Sequence, residues 1–297
     1  MQRIKRTFGF IFSHPLGRKH PIKSLIRFVL WQIQSRLQPS EFIVKHFLQG
    51  INFYARKGLS GITGNIYTGL HEFNDMAFLL HFLRPDDVFF DIGANAGSYT
   101  LLASGVCKAK TFAIEASADT AEITQKNIAL NKLENRVTLI YAAAGANAGK
   151  LSFSKNEDAT NHVVTAEELQ NAVTETVSVI KIDDLTAENQ PALIKIDVEG
   201  FETEVLKGMA ETLKLPSLKA IIIELNGSGI RYGFKDEIID NQLRNYRFEP
   251  YQYDAFERNL TLLNNYGNDN TIYCRDMDFI ENRLKQAEAF KIMGEKI

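Results

Sequence analysis

Short apolar segments alternate with helix-patterned segments from residue 88 to residue 225. The apolar runs predict five strands, over 88–92, 111–114, 137–142, 192–198 and 220–225. Between the first three of them, apolar residues at helical spacing predict helices over 98–104 and 118–130. Strands that are apolar on both faces and separated by helices are typical of a parallel sheet covered on both sides. The pattern therefore predicts an α/β fold with a doubly wound, mostly parallel sheet.

The C-terminal part of the chain has a different pattern. The tyrosine-rich segment 248–253 and the segments 260–263 and 271–274 have strand composition and are joined by turns rich in Asn and Gly. Short strands connected in this way pair antiparallel. We therefore expect an antiparallel C-terminal edge on the sheet.

The region before the sheet is predicted to be helical and then turn-rich. Apolar residues between 28 and 47 recur at steps of three and four, and Ser40 can cap a second helix, so two amphipathic helices are expected. Four glycines between 58 and 69 predict a turn-rich segment, and 72–83 predicts a further helix.

Charge divides the chain into two parts, although the net charge is only −2. Residues 1–60 hold 11 Lys and Arg against Glu41 alone, whereas the remaining residues hold 23 Lys and Arg against 35 Asp and Glu. The asymmetry predicts a basic, helical N-terminal extension over 1–60 and a separate acidic domain over 61–297.

The basic extension suits more than one partner. It either packs on the larger domain with a solvated basic face, or makes a peripheral contact with an anionic membrane. Nucleic acid is disfavoured because no recognised binding module accompanies the charge. The apolar stretch 24–37 contains two arginines and is shorter than the roughly 20 residues that span a bilayer. Cys107 and Cys274 are too few for a disulfide framework, which predicts a cytoplasmic location.

A glycine-containing turn follows the first predicted strand. Gly93 and Gly97 let a ligand approach the backbone, and the next helix begins there. Asp91 at the strand end repels a pyrophosphate and suits a cation, while Glu115, 18 residues after Gly97, has nearly the spacing of an acid that binds ribose hydroxyls. The glycine turn, Asp91 and Glu115 together predict a ligand that is a nucleoside with a positively charged tail. S-adenosylmethionine is such a molecule. The alternative is a simple tight turn with Glu115 as a solvated helix cap.

These features belong to four longer segments. The segments are VFFDIGANAGSYTLLAS over 88–104, FAIEAS over 112–117, LIKIDVEGFETEVLKGM over 193–209 and IIIELN over 221–226. On them the chain resembles the FkbM family of mostly O-methyltransferases, class I enzymes that depend on S-adenosylmethionine. The resemblance leaves the basic extension outside.

The resemblance implies roles for several residues. Asp91, Gly93, Asn95 and Gly97 would line the methionine side of the cofactor, and Glu115 would hold the ribose. Many class I enzymes place an acid beside adenine after the third strand, but here the sequence at 141–144 is YAAA. Adenine is therefore expected to pack on small residues including Ala143. The implied acceptor is a hydroxyl of a saccharide or secondary metabolite.

Three charged residues alternate along the fourth predicted strand. Lys195, Asp197 and Glu199 share one face of the strand, and charges on a buried strand are costly unless they are paired or bind something. If this strand lies beside the first, Asp197 and Glu199 lie where doubly wound sheets bind ligands, together with Glu224 from the next strand. We expect Asp197 and Glu199 to hold the cofactor ammonium or the acceptor, and Lys195 to neutralise the cluster. The alternative is a purely structural Lys195–Asp197 ion pair.

Methyl transfer to a hydroxyl requires alignment and a base that removes the hydroxyl proton. The candidates are His162, in a polar insert between the third and fourth strands, together with Glu224 and Asp197. No resident metal is predicted, but a divalent site built from Asp197, Glu199 and Glu224 is a second hypothesis, against which Lys195 would compete. Two hypotheses of a different class are a non-catalytic nucleoside-binding module and a nicotinamide dehydrogenase.

Overall fold

The computed structural model describes residues 2–155, 161–165, 167–170, 172–267 and 269–297. Helices and strands are numbered here in chain order. The part before the central sheet contains α1 (Gln2–Ser13), α2 (Pro15–Lys19), α3 (Pro21–Leu37), β1 (Ile43–His46), β2 (Asn52–Ala55), α4 (Ser60–Thr68) and α5 (Phe73–Phe82).

The middle of the chain alternates strands and helices. Its elements are β3 (Val88–Ile92), α6 (Ser98–Thr100, continued by a π-helical segment Leu101–Val106), β4 (Lys110–Glu115), α7 (Ala118–Leu130), β5 (Val137–Tyr141), β6 (Ala143–Ala144), β7 (Gly149–Ser154), β8 (Thr174–Ile180), α8 (Asp183–Thr186), β9 (Leu193–Ile196), α9 (Glu202–Lys207) and β10 (Ala220–Glu224). Short 3₁₀ turns lie at Glu168–Gln170, Thr212–Lys214 and Ser228–Tyr232.

The C-terminal part completes the sheet and adds a small hairpin. Its elements are α10 (Asp236–Asn245), β11 (Glu249–Asp254), β12 (Asn259–Leu262), β13 (Asn270–Cys274), α11 (Met277–Gln286), β14 (Lys291–Ile292) and β15 (Glu295–Lys296).

In the described part of the chain, the central sheet has eight strands in the order β12-β11-β13-β10-β9-β3-β4-β5. The five strands from β10 to β5 are parallel to one another, and β13, β11 and β12 join them by antiparallel pairing. The predicted α/β fold, with a mostly parallel sheet and an antiparallel C-terminal edge, is confirmed. The strand order reverses between β3 and β9, because β4 and β5 follow β3 to one side and β10 follows β9 to the other.

Both faces of the sheet are buried. Along β3, Phe89 belongs to the apolar cluster on one face and Phe90 to the cluster on the other, as strand alternation requires. The first cluster also contains Leu79 of α5 and Trp31 of α3, so the basic segment packs on the same core as the sheet. The division of the chain at residue 60 stays a prediction.

The helix expected after Ser40 is wrong, because a β-hairpin stands there. The strands β1 and β2 pair from Ile43 with Ala55 to His46 with Asn52. Their connection contains Gln49 and Gly50, both with positive φ, at 46° and 83°. Two consecutive residues of this kind make the turn that matches the twist of a hairpin. The prediction failed because apolar residues in this short segment recur at steps of three and four, which is also the spacing of an amphipathic helix.

The turn-rich segment expected around the glycines is also wrong, because α4 covers most of it. Inside this helix, a Cβ on Gly64 would lie 2.4 Å from the His71 ring, and one on Gly61 would lie 3.0 Å from Asn95 Oδ1. The glycines allow close packing within a helix. Gly69, at φ +87°, follows the last helical residue.

The polar insert between the third and fourth parallel strands forms a second sheet that sequence patterning did not indicate. Its three strands lie in the order β6-β8-β7. Elsewhere, Cys107 and Cys274 are both buried free thiols. Among the described helices, none is long and apolar enough to cross a bilayer.

Candidate active site

A cavity of about 260 Å³ lies at the carboxyl ends of the parallel strands. Its walls come from the loops after β3, β4 and β9 and from the last residue of β10, with further residues from α4, α5 and the small insert sheet. Doubly wound sheets bind ligands where the strand order reverses, and here that point lies between β3 and β9. The cavity is therefore the candidate active site.

The glycine turn after β3 forms the floor of the cavity. Gly93 has φ +80°, and a Cβ on it would lie 1.7 Å from the carbonyl oxygen of Asp197. Gly97 has φ +83° and lies against Thr124. Only a residue without a side chain fits the position of Gly93 beside β9, so the close contact between the two strand ends depends on it.

Asp91 is almost fully buried and holds the first turn of α6. Its Oδ2 accepts hydrogen bonds from the backbone N–H of Thr100 at 2.9 Å and from the Thr100 hydroxyl at 2.6 Å. Burial raises the pKa of Asp91, and the nearby Lys195 ammonium opposes that shift. Asp91 lines the cavity and at the same time fixes the turn that follows it.

Glu115 joins the ends of β3 and β4. Its Oε2 accepts a hydrogen bond from the Asn95 backbone N–H at 2.7 Å, and its Oε1 accepts one from the Ser117 N–H at 2.8 Å. Burial raises the pKa of Glu115, and the two backbone N–H groups partly offset this by stabilising the carboxylate. Glu115, Asn95 and Ala143 all line the cavity. The structure therefore brings these predicted cofactor residues together.

Three carboxylates converge beside the glycine turn. Oxygen atoms of Asp197, Glu199 and Glu224 lie within 4.8 Å of one another. Lys195 Nζ lies 2.6 Å from Asp197 Oδ2. Burial alone lowers the pKa of the Lys195 ammonium, but the carboxylates of Asp197, Glu72 and Asp91 outweigh this effect and raise it. Lys195 is therefore charged and neutralises part of the cluster.

The remaining carboxyl groups titrate far above their ordinary range. Burial, together with the charge of Asp197, raises the pKa of Glu199 to about 7 and that of Glu224 to about 9. In the described part of the chain, Glu224 Oε2 is buried without a hydrogen-bond partner. Three close carboxyl groups do not all ionise at neutral pH. At pH 7 Glu224 is therefore protonated, whereas Glu199 is present in both its protonated and its ionised form.

Sequence reasoning missed Tyr99, a cavity residue that connects directly to this cluster. The Tyr99 hydroxyl donates a hydrogen bond to Glu72 Oε2 at 2.5 Å, and Lys195 Nζ lies 4.8 Å from the centre of the Tyr99 ring. Tyr99 lies two residues after Gly97 in the motif, which was a signal that it faces the site.

His162 lies apart from the other predicted site residues. Its Nε2 is 3.4 Å from Glu168 Oε1, and its backbone N–H donates to Ser154 Oγ. The flanking Asn161 and Val163 line the cavity. Because neighbouring side chains of extended backbone point to opposite sides, His162 faces away, and the structure does not support it as a base in direct contact with the cavity.

Comparison with known proteins identifies related sequences. Residues 91–274 match the model of the methyltransferase FkbM domain. The chain is also 31% identical over 153 residues to the hexuronic acid methyltransferase AglP of Haloferax volcanii, a match that covers 50% of this chain and 59% of AglP. The chain thus spans less than two thirds of the length of this curated relative.

Solved structures show weaker similarity. A methyltransferase FkbM from Methylobacillus flagellatus is 16% identical with a TM-score of 0.45, over 71% of this chain and 52% of that one. A precorrin-6y C5,15-methyltransferase from Geobacter metallireducens is 14% identical with a TM-score of 0.41, over 75% and 95%. The fold assignment therefore rests on the strand order of the chain's own sheet.

Proposed function

Because the chain belongs to the methyltransferase FkbM domain family, we propose that it transfers the methyl group of S-adenosylmethionine to a hydroxyl of a saccharide. The observation that carries the proposal is the cavity at the strand reversal, which is lined together by Glu115, the glycine turn and the carboxylate cluster. The relative AglP is named for a hexuronic acid, which supports a saccharide acceptor.

The residues around the cavity fit this cofactor. Gly93 lines the cavity through its backbone, and the absence of a side chain there leaves room for the Asp197 carbonyl of the neighbouring strand end. Glu115 is an acceptor-only group for the ribose hydroxyls, and Ala143 offers a small surface for adenine. The carboxyl groups of Asp91, Asp197 and Glu199 also line the cavity. Their negative charge suits the ammonium and sulfonium groups of the cofactor.

In this proposal the chain's own work is alignment and proton removal. When bound, the sulfonium supplies a reactive methyl group, so little help is needed with its leaving group. The acceptor hydroxyl must lose its proton to a group within hydrogen-bond reach. Glu199 suits that task at neutral pH because its pKa is about 7. Protonated Glu224 can donate a hydrogen bond that orients the acceptor, and Lys195 holds Asp197 in place.

Aromatic side chains form the acceptor side of the cavity. Phe153 and Phe201 line it, and the Tyr232 ring lies 5.4 Å from the Phe201 ring. The Tyr232 hydroxyl donates to the Val163 carbonyl at 2.6 Å, which ties this wall to the insert sheet. Pockets of this kind combine apolar walls with a few polar groups that fix orientation, as a sugar ring requires.

A labelling experiment tests the proposal. Purified protein is incubated with methyl-labelled S-adenosylmethionine and an oligosaccharide ending in a hexuronic acid, with host cell-envelope extract as a broader acceptor source. We expect label in a saccharide and binding of S-adenosylhomocysteine without binding of NAD. Binding of NAD alone would favour a dehydrogenase. Binding of S-adenosylhomocysteine with no labelled product in either acceptor source would favour a non-catalytic module.

A metal-assisted version of the reaction is the second candidate. It is favoured by the convergence of the Asp197, Glu199 and Glu224 oxygens within 4.8 Å, since carboxylates are ligands of divalent cations. The Lys195 ammonium counts against this version, because it competes with a metal ion for the same carboxylates. Titration of magnesium into EDTA-treated protein decides between them, because unchanged transfer without added metal excludes this version.

A further inference from the structure

The exposed face of α3 is its more aliphatic face. Six aliphatic side chains on it are between 49% and 78% exposed, namely Ile22, Ile26, Val29, Leu30, Ile33 and Leu37. Their spacing of three and four residues places them on one side of the helix. The buried side consists of Ser24, Phe28, Trp31 and Ser35. We call the six exposed residues the α3 stripe. Contiguous exposed apolar surface of this kind marks an interaction site.

Basic residues border the α3 stripe on both sides. The first 40 residues contain eight Lys and Arg and no Asp or Glu. At 100° per residue, Arg36 lies at one border of the stripe and Lys23 at the other, and both are exposed. An apolar face bordered by basic residues is the pattern of helices that lie in the interface of an anionic membrane.

A basic groove lies next to the Lys23 border. Side chains of Lys23, Arg27, His46 and Lys291 line it, between α3, the β1–β2 hairpin and the β14–β15 hairpin. Lys23 Nζ donates to the Met293 carbonyl at 2.8 Å, which holds the C-terminal hairpin against α3. Among the described residues, no carboxylate lies within salt-bridge distance of Arg27. The groove therefore offers uncompensated positive charge to an anion.

We propose that the α3 stripe and this basic groove form a docking surface for an anionic lipid bilayer. The apolar side chains would enter the boundary between headgroups and acyl chains, and the groove would take a lipid phosphate. A second copy of the chain is a poorer occupant, because pairing this face with itself brings basic residues against basic residues. A bilayer with anionic headgroups supplies the opposite charge.

The docking surface is one helix away from the candidate active site. The Phe28 ring on the buried side of α3 lies 5.3 Å from the Tyr67 ring of α4. Asn65 of the same helix donates to Ser98 Oγ at 3.1 Å, and Ser98 lines the cavity. A bilayer held on α3 would therefore lie near the site where the acceptor binds.

Vesicle sedimentation of the full chain tests the proposal. We expect retention by vesicles of phosphatidylglycerol mixed with phosphatidylcholine, little retention by phosphatidylcholine alone, and weaker retention as salt screens the charges. The triple variant Ile26→Ser, Leu30→Ser, Ile33→Ser should lose roughly tenfold or more in vesicle affinity. The variants Lys23→Gln and Arg36→Gln should each lose about fivefold. Ile238→Ser and Lys285→Gln, at exposed positions of α10 and α11, are the matched controls.

Each other outcome overturns the proposal. It fails if the wild type is not retained by anionic vesicles at low salt, or if the controls lose as much affinity as the stripe variant. It also fails if the stripe variant only converts a dimer to a monomer in sedimentation velocity, which would assign the face to a second copy. Thermal unfolding of each variant verifies its fold. Methyl transfer to a saccharide in solution should be unchanged in the stripe variant, so loss of docking is distinguishable from loss of catalysis.

Discussion

Gly93 and Asp197 come so close at the ends of β3 and β9 that a Cβ on Gly93 would lie 1.7 Å from the Asp197 carbonyl oxygen. The same contact joins the two halves of the candidate site, because Gly93 belongs to the predicted cofactor turn and Asp197 to the carboxylate cluster. The Asp197 backbone N–H donates to the Ile92 carbonyl at 3.0 Å, which fixes the spacing.

The substitution Gly93→Ala should therefore damage both stability and binding. We expect the free energy of unfolding to fall by about 3 kcal/mol or more, from backbone strain and overpacking together, and S-adenosylhomocysteine binding to be lost. Gly50→Ala is the matched control, since its φ is +83° but nothing lies within 4 Å of the added Cβ. It should cost about 1–2 kcal/mol and leave binding intact. Urea unfolding and titration calorimetry measure the two effects, and equal losses in both variants would contradict the packing argument.

Glu115→Gln tests the ribose assignment. In the wild type, the Glu115 carboxylate only accepts hydrogen bonds, two of them from backbone N–H groups. The variant replaces one carboxylate oxygen by an NH₂ donor, and hydrogen bonds to charged groups are worth about 1.5–3 kcal/mol. We expect S-adenosylhomocysteine to bind about 10- to 100-fold more weakly by calorimetry. Glu122→Gln, on the exposed face of α7, should bind like the wild type. An unchanged affinity for Glu115→Gln would remove its cofactor role.

Lys195→Met tests the electrostatics of the carboxylate cluster. Without the ammonium 2.6 Å from Asp197, less positive charge stabilises the ionised form of Glu199, so its pKa should rise further above 7. The transfer rate at pH 7 should fall roughly tenfold or more, and the rise of the rate with pH should move to more alkaline values. Lys207→Met, at an exposed ion pair on α9, is the control. An unshifted pH profile would show that Glu199 is not the titrating base.

Glu224 makes a separate prediction about stability. A glutamate in the unfolded chain has a pKa of about 4.3, whereas that of Glu224 in the folded chain is about 9. Between these two pH values the folded state binds more protons than the unfolded state. The contribution of Glu224 to the free energy of unfolding is therefore complete at low pH and is lost as pH rises towards 9. Urea unfolding should show that the free energy of unfolding falls less between pH 7 and pH 9 in Glu224→Gln than in the wild type. A loss in the variant that equals or exceeds the loss in the wild type would mean that burial does not raise this pKa.

The sheet and much of the site were predictable because their signals are local. Each parallel strand is a continuous apolar run, and Lys195 and Asp197 alternate within a few residues of one strand. Glu115 was recognisable from its spacing after Gly97. In these cases neighbouring residues in the sequence already determine which side chains share a face or a strand end.

The parts that were missed depend on contacts between distant residues. The hydrogen bond from Tyr99 to Glu72 joins positions 27 apart in the sequence. The helical glycines of α4 are explained only by the neighbours that they touch, His71 and Asn95. His162 was a reasonable candidate by residue type, but the direction of a side chain in an insert depends on the strand that it pairs with, here through the bridge from Val163 to Phe153.

The most direct test of the proposed reaction is transfer of labelled methyl from S-adenosylmethionine to saccharide acceptors by the wild type, Gly93→Ala and Gly50→Ala in parallel. We predict labelled saccharide with the wild type and with Gly50→Ala, and none with Gly93→Ala. Label that appears equally with Gly93→Ala, or with none of the three proteins, would contradict methyl transfer in the cavity between β3 and β9.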